Sequence, residues 1–329
     1  MPLPSEPPPA AGVRLDWAEV PPSVRRAIEQ WLGSTIVSVT NQHGGFSPGV
    51  AARIEAANGR RVFIKVGGPR PNPDVPSIYR REVGIAAALP ADAPVPRLLW
   101  SYDEGGWVAM IFEYIDGRQP IQPWRGDELD RVTDALVALS TTLTPSPLPA
   151  ATIGTAGEVF STNLCGWRRL RDEQPSQVAH LDRWSSRHLD ALVALEMAAP
   201  PLVAGNTLLN LDVRADNILL TADRVWFVDW PLACVGAAWV DVVLFAPSVT
   251  MQGGPPPERL IARHPACQTA DPDAITAAVA AIAGYFTHRA MQPPPPGLPT
   301  VRAFQAAQGV VARQWVAERA GLSLPGAPL

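Results

Sequence analysis

LLNLDVRADNILL (residues 208–220), followed by FVDW (residues 227–230), decides the reading of this chain. In the first stretch Asp212 and Asn217 lie five residues apart in a polar loop bounded by two short apolar runs. In the second, Asp229 ends an apolar, strand-like run and precedes Trp230 and Pro231. The pattern D-x-x-x-x-N plus a strand-end Asp supplies two carboxylates and one amide oxygen. These are the groups that phosphoryl transfer requires. The transferred group carries dispersed negative charge, so catalysis is mostly positioning and charge neutralisation. One carboxylate must stand beside the acceptor hydroxyl, and hard oxygen ligands must hold Mg²⁺ against the phosphates.

Upstream, the pattern is β-rich. Residues 36–40, 50–56 and 61–66 read as strands, the last two joined by Asn58-Gly59, a strong hairpin signal. Residues 77–89 have helical periodicity, and residues 98–102 and 107–112 read as two further strands. Residues 14–32 are expected to be largely helical. Beyond Gly117 the pattern turns helical, over 127–143, 181–197 and from 273 onward, with a proline cluster at 293–296. The expected fold class is α+β and bilobal, a small β-rich N-terminal lobe followed by a larger, mainly helical lobe. The expected boundaries are a Pro-rich disordered tail over 1–13, a nucleotide-binding lobe over 14–112, a hinge over 113–117, and a catalytic and substrate-binding lobe over 118–329.

Taken together, these residues resemble the aminoglycoside phosphotransferase and choline kinase superfamily, whose fold is related to that of protein kinases. The resemblance covers roughly residues 33–320. Residues 225–249, with DWPLACVGAAWVDVVLFAPSV, are similar to an actinobacterial branch of unassigned substrate. The resemblance implies that Asp212 is the catalytic base, that Asn217 and Asp229 are metal ligands, and that Asp241 bonds the catalytic loop. Lys65 in VFIKV (residues 62–66) would hold the α- and β-phosphates and pair with Glu82 in the following helix. NQHGGFSPG (residues 41–49) resembles the nucleotide loop, with Gly44 and Gly45 letting the backbone approach the phosphates and Ser47 as a donor. His43, within that loop, reads as a turn residue. MIFEYIDG (residues 110–117) resembles the linker between lobes, with the adenine on the backbone of Glu113, Tyr114 and Ile115. Two positions depart from the pattern. Asn210 stands where the family usually has His, and Leu211 where it usually has Gly. They motivate an alternative, a pseudokinase-like protein that binds nucleotide or ligand without turnover.

The implied activity is transfer of phosphate from ATP or GTP, with Mg²⁺, to a hydroxyl of a small molecule such as an aminoglycoside, another antibiotic, a sugar or an amino sugar. Formal net charge is -4 and there is no dense Lys/Arg run, so no nucleic-acid or anionic-membrane partner is expected. The chain has three widely spaced cysteines and no C-x-x-C pair, which argues for a reducing cytoplasm and against a disulfide or zinc framework. The N-terminus shows neither the basic nor the apolar region of a signal peptide. Residues 274–286, the most apolar window, fall short of the ~20 residues a membrane span needs. A monomer or weak homodimer is expected. No G-x-S-x-G or H-E-x-x-H spacing supports a hydrolase, and no A-P-E follows Asp229 as in protein kinases. From residue 251 onward four acids face six Lys/Arg, while the middle stretch is acidic (Asp127, Glu128, Asp130, Asp134, Glu158, Asp172, Glu173), so charge leaves a polycationic aminoglycoside and a neutral or weakly charged hydroxyl compound equally open.

Overall fold

The structure, a computed structural model, describes residues 8–42 and 44–322. His43 and most of the expected N-terminal tail, residues 1–7, lie outside the described residues.

Alternating side chains build the N-terminal lobe. Five antiparallel strands lie in the order β1 (Ile36–Asn41), β2 (Val50–Ala56), β3 (Arg61–Gly67), β5 (Trp107–Glu113) and β4 (Leu98–Glu104). Strand side chains alternate between faces. Val62, Ile64 and Val66 of β3 and Ala109 and Ile111 of β5 therefore join one apolar cluster with helix α1 (Pro22–Leu32), through Val24, Ile28 and Leu32. Val108, Met110 and Phe112 of β5 join the cluster on the opposite face with helix α2 (Val75–Ala86), through Val75, Tyr79 and Ala86, while Phe63 of β3 packs against it. Lys65 has the parity of Phe63, so it is delivered to the α2 face. Only Pro22–Leu32 of the helix expected over 14–32 is α-helical, after a 3₁₀ turn at Trp17–Glu19. Pro21 and Pro22 set its start, since proline suits a first helical turn but not an interior.

The C-terminal lobe has one core. The helix Pro272–Ala290 lies at its centre and is buried on nearly all sides, which explains its unbroken apolar run. None of the described helices is long and apolar enough to cross a membrane. The expected helix over 181–197 is divided at His188 into Arg183–Arg187 and Leu189–Leu202. Asp182 caps the first piece by accepting from the Ser185 amide at 3.0 Å. The decisive motif occupies two small hairpin-like pairs: β6 (Thr207–Leu209) with β9 (Cys234–Gly236), and β7 (Ile218–Leu220) with β8 (Val225–Phe227). The linker after β5 is fastened to β7 by reciprocal backbone bonds of Arg118 and Leu220, at 3.1 and 2.7 Å.

Outside the cleft, two sets of contacts help to set the lobes against each other. Arg81 of α2 donates to the carbonyls of Ile153, Pro231 and Ala233 at 2.6, 2.8 and 2.8 Å. Residues 10–13, the end of the expected Pro-rich tail, and residues 14–15, expected to be helical, form one extended strap tied to both lobes. Ala10 accepts from Gly45 N–H at 2.8 Å, Val13 N–H donates to Gly297 at 2.7 Å, and Thr300 Oγ1 donates to the Ala11 carbonyl at 2.7 Å.

Gly67 lets α2 approach β3, because a Cβ there would stand 2.3 Å from Val75 Cγ1. Gly67→Ala is expected to cost about 1–3 kcal/mol of unfolding free energy by overpacking. Gly84→Ala, on the exposed face of the same helix with open space around it, is expected to stabilise by about 0.5–1 kcal/mol. Urea denaturation of both variants reads the two signs.

Candidate active site

The β3 parity and the helix α2 bring Lys65 and Glu82 together between the lobes. The Lys65 ammonium donates to both Glu82 oxygens, at 2.7 and 2.5 Å, and to Asp229 Oδ1 at 2.8 Å. It also lies 5.4 Å from the centre of the Tyr79 ring. Lys65 and Glu82 are buried. Burial alone would lower the lysine's pKa, but the charges of Asp229 and Glu82 outweigh it and hold the ammonium above its ordinary range. Burial opposes charge on Asp229 too, and there Lys65 wins and holds the carboxyl below its usual value.

Asp229 follows β8 with φ +67°, and Leu211 has φ +63°. Among the described residues these are the two non-glycine positions with left-handed backbone, and both flank the cleft. Leu211 thus takes a conformation that glycine adopts without penalty.

The loop between β6 and β7 carries the second group. Asn217 Nδ2 donates to the Asp212 carbonyl at 2.9 Å and to Asp212 Oδ2 at 3.1 Å. Arg214 forms a short ion pair with Asp212 Oδ1 and a forked one with Asp216, at 3.0 and 2.9 Å. Burial pushes the Asp212 carboxyl up to about 7 against the pull of Arg214, with Asp229 and Asp216 adding to the rise. Asn210 joins the two halves of the site. Its Nδ2 donates to the Asp229 carbonyl at 3.0 Å, and its Oδ1 accepts from the Asp212 amide at 2.9 Å. Asp241, at the start of the helix Val240–Met251, accepts from the backbone N–H of Asn210 at 2.8 Å and of Leu211 at 2.9 Å. Burial raises Asp241 to about 6 despite those two bonds.

The glycine loop covers this floor. A Cβ on Gly45 would stand 3.6 Å from Asp216 Oδ2, and one on Gly44 would stand 3.5 Å from Gln119 Nε2. Ser47 Oγ hydrogen-bonds the Tyr79 hydroxyl at 2.7 Å. Phe46 lies under the Arg214 guanidinium, 5.3 Å from ring centre to Cζ, and meets Phe304 edge-on at 5.3 Å. At the linker, Glu113 is engaged by Arg97 through its carboxylate, and the Tyr114 hydroxyl is held by Arg53 at 3.1 Å. Ile115 packs near the position a Gly117 Cβ would take, beside Leu219 and the Leu220 carbonyl. The Glu113 N–H is also taken, by the Arg97 carbonyl at 3.0 Å.

Lys65, Glu82, Asp212, Asn217 and Asp229 therefore converge, with Gly44, Gly45 and Ser47 above them and residues 113–115 in the segment that follows β5. Sequence reasoning did not single out Tyr79, Asp216 or Arg14. Asp216 sits beside Asn217 in the motif itself. Tyr79 and Arg14 have no local signal, since what gives them a place is contact across the fold. Asp229 Oδ2 and Asn217 Oδ1 receive no hydrogen bond from the described residues, so two hard oxygens remain for a cation. No cluster of three or more His, Cys, Asp or Glu among the described residues forms a metal cage.

The profile of the Phosphotransferase enzyme family matches residues 39–306. The chain belongs to that family. No curated protein matches this phosphotransferase-family chain. Among solved structures it is similar to a thermostable mutant of aminoglycoside phosphotransferase APH(4)-Ia in complex with ADP and hygromycin B (TM-score 0.60, 15% identity, 92% of this chain and 100% of that one). It is also similar to a choline/ethanolamine kinase family protein from Mesorhizobium loti (TM-score 0.56, 17% identity, covering 90% and 93%). A third is the amicoumacin kinase hAmiN in complex with AMP-PNP, Ca²⁺ and Ami (TM-score 0.53, 10% identity, covering 88% and 93%). At these identities the likeness is one of fold, and it bears out the bilobal protein-kinase-like architecture.

Asp241→Asn replaces one acceptor oxygen with an N–H that faces a backbone N–H. The expected cost is about 1–3 kcal/mol, read by urea denaturation, with faster hydrogen exchange at the amides of Asn210 and Leu211.

Proposed function

We propose that this phosphotransferase-family chain is a small-molecule kinase, moving the terminal phosphoryl of ATP or GTP to an acceptor hydroxyl. The observation that carries this reading is the convergence of Lys65, Asp229 and Asp212 from three separate stretches of chain on one cleft.

Each residue has a task that its surroundings favour. Asp212 accepts a hydrogen bond from the acceptor hydroxyl and takes its proton as the new O–P bond forms. A carboxyl raised toward neutral pH suits a group that must gain a proton during the reaction. Asp229 and Asn217 would hold Mg²⁺, which supplies charge neutralisation when bound. Lys65 stays protonated and turns its ammonium to the phosphates, with Glu82 keeping it in line. Of the loop's backbone N–H groups, those of Gly44, Phe46 and Ser47 would serve the same phosphates, since Pro48 has none and that of Gly45 is taken by the Ala10 carbonyl.

The geometry around Asn210 favours turnover over the pseudokinase alternative. Asn210 supports both Asp212 and Asp229 by hydrogen bonds, the scaffold work that a histidine would otherwise do. Leu211 accepts the backbone geometry of a glycine. For the acceptor, the small apolar cluster of Met251, Phe304, Ala307 and Val311 reaches Phe46, which stacks on Arg214 beside Asp212. It joins the surplus of basic residues after 251 in favouring a neutral or weakly charged hydroxyl compound. The solved relatives include an aminoglycoside phosphotransferase in complex with hygromycin B, an amicoumacin kinase and a choline/ethanolamine kinase family protein, which supports a small-molecule acceptor.

The test is a panel of hydroxyl compounds incubated with ATP or GTP and Mg²⁺, read by a phosphate mass increment on the acceptor. Asp212→Asn is expected to lower kcat roughly 10²–10⁴-fold while nucleotide Kd stays within about threefold. Unchanged turnover in that variant would remove Asp212 from the role. Nucleotide binding with no acceptor modified across the panel would favour the pseudokinase reading. Lys65→Met is expected to act oppositely, weakening nucleotide Kd by about 10–100-fold through loss of a charged hydrogen bond to phosphate.

A further inference from the structure

Among the described residues, three cations ring the cleft, and two of them, Lys65 and Arg214, are already neutralised by protein. Lys65 is shared by Glu82 and Asp229, and Arg214 by Asp212 and Asp216. An incoming triphosphate competes with carboxylates for both. Arg14 is different. It comes from the strap at residues 10–15, which precedes the family-matched stretch of 39–306. Its guanidinium reaches under the glycine loop, where Nη1 donates to the Ser47 carbonyl at 2.9 Å and Nη2 makes a short bond to the Gly44 carbonyl. A Cβ on Gly45 would lie 3.2 Å from Nη2. Among the described residues no carboxylate lies within ion-pair distance of Arg14, and its Nε is buried without a hydrogen-bond partner. Its charge nevertheless bears on Asp229 and Asp216 across the cleft.

A guanidinium that meets only carbonyls under a loop shaped for phosphates has one natural partner, an anion with several oxygens. The strap keeps the side chain in place beforehand. Leu15 N–H donates to Pro48 at 3.3 Å on the N-terminal lobe, and Val13 and Ala11 bond Gly297 and Thr300 on the other side of the cleft. We propose that Arg14 is a phosphate-binding residue, the cation left free to neutralise the terminal phosphates of the nucleotide. The inference rests on the nucleotide-binding reading above, and it concerns a residue that the family match does not reach.

The experiment is calorimetric titration of the full chain with MgATP and AMP, or with MgGTP and GMP if wild type prefers guanine. Two uncharged variants, Arg14→Gln and Arg14→Met, guard against one that misfolds, and Arg14→Lys restores the charge. Thermal melts identify the folded variants. The expected result is a loss of about 10–100-fold in triphosphate affinity in a folded uncharged variant, with monophosphate affinity within about threefold and most of the loss recovered in Arg14→Lys. Equal losses for triphosphate and monophosphate would show that Arg14 only braces the loop, and no loss for either would show that it touches no phosphate. Both results overturn the proposal. Wild type that binds neither nucleotide would instead bring down the nucleotide reading, and this inference with it.

Discussion

A buried ammonium between two carboxylates is the constraint on which the rest of the structure depends. Lys65 is 7% exposed and Glu82 2%. Charges so withdrawn from water persist only with partners, and deleting one partner of such a group typically costs about 3–5 kcal/mol. The three partners arrive from three places: a strand that must keep its register, a helix that must lie close to that strand, and a turn from the other lobe. Gly67 permits the first approach, and Arg81 fixes the helix to the C-terminal lobe. The left-handed backbone at Asp229 completes the set. The fold is arranged so that closing the Lys65 cluster also aligns the two lobes.

The same arrangement explains why the strained positions lie where they do. Leu211 and Asp229 each hold a backbone conformation that costs a non-glycine residue roughly 1 kcal/mol or more. They sit on either side of Asn210, whose side chain bonds both Asp212 and Asp229. Asp241 then anchors the loop from below through two backbone amides. Strain at two points is outweighed by a hydrogen-bond network that leaves few alternatives for the loop, and that network holds Asp212 and Asn217 at fixed distance.

Much of this was legible in the sequence because it is written in periodicity. The strands at residues 50–56, 61–66 and 107–112 and the Asn58-Gly59 turn follow from alternation and turn chemistry. Periodicity put Lys65 on a strand and Glu82 on a helix; that the two pair came from the family resemblance, and the structure brings them together at 2.5 Å. The scaffold place of Asn210 and the bond from Asp241 to the catalytic loop came from the family resemblance; that the Asn210 side chain reaches the Asp229 carbonyl was not legible, since Asp229 lies 19 residues away in sequence. The strap was not legible for a related reason. Proline-rich composition predicts an extended chain, and what the strap docks against is decided by the loop at 44–48 and by Gly297 and Thr300, far off in sequence. The division of the helix expected over 181–197 at His188 was hidden by an apolar period that runs through both pieces.

The account is tested most directly by a crystal structure with a non-hydrolysable triphosphate and Mg²⁺. It predicts the phosphates beneath residues 44–48 with the Lys65 ammonium on them, and the metal bonded to oxygens of Asp229 and Asn217 at about 2.0–2.1 Å. A nucleotide seated elsewhere, as in the groove between α1 and β1 lined by Arg25 and Arg26, or a metal held by other residues, would contradict it.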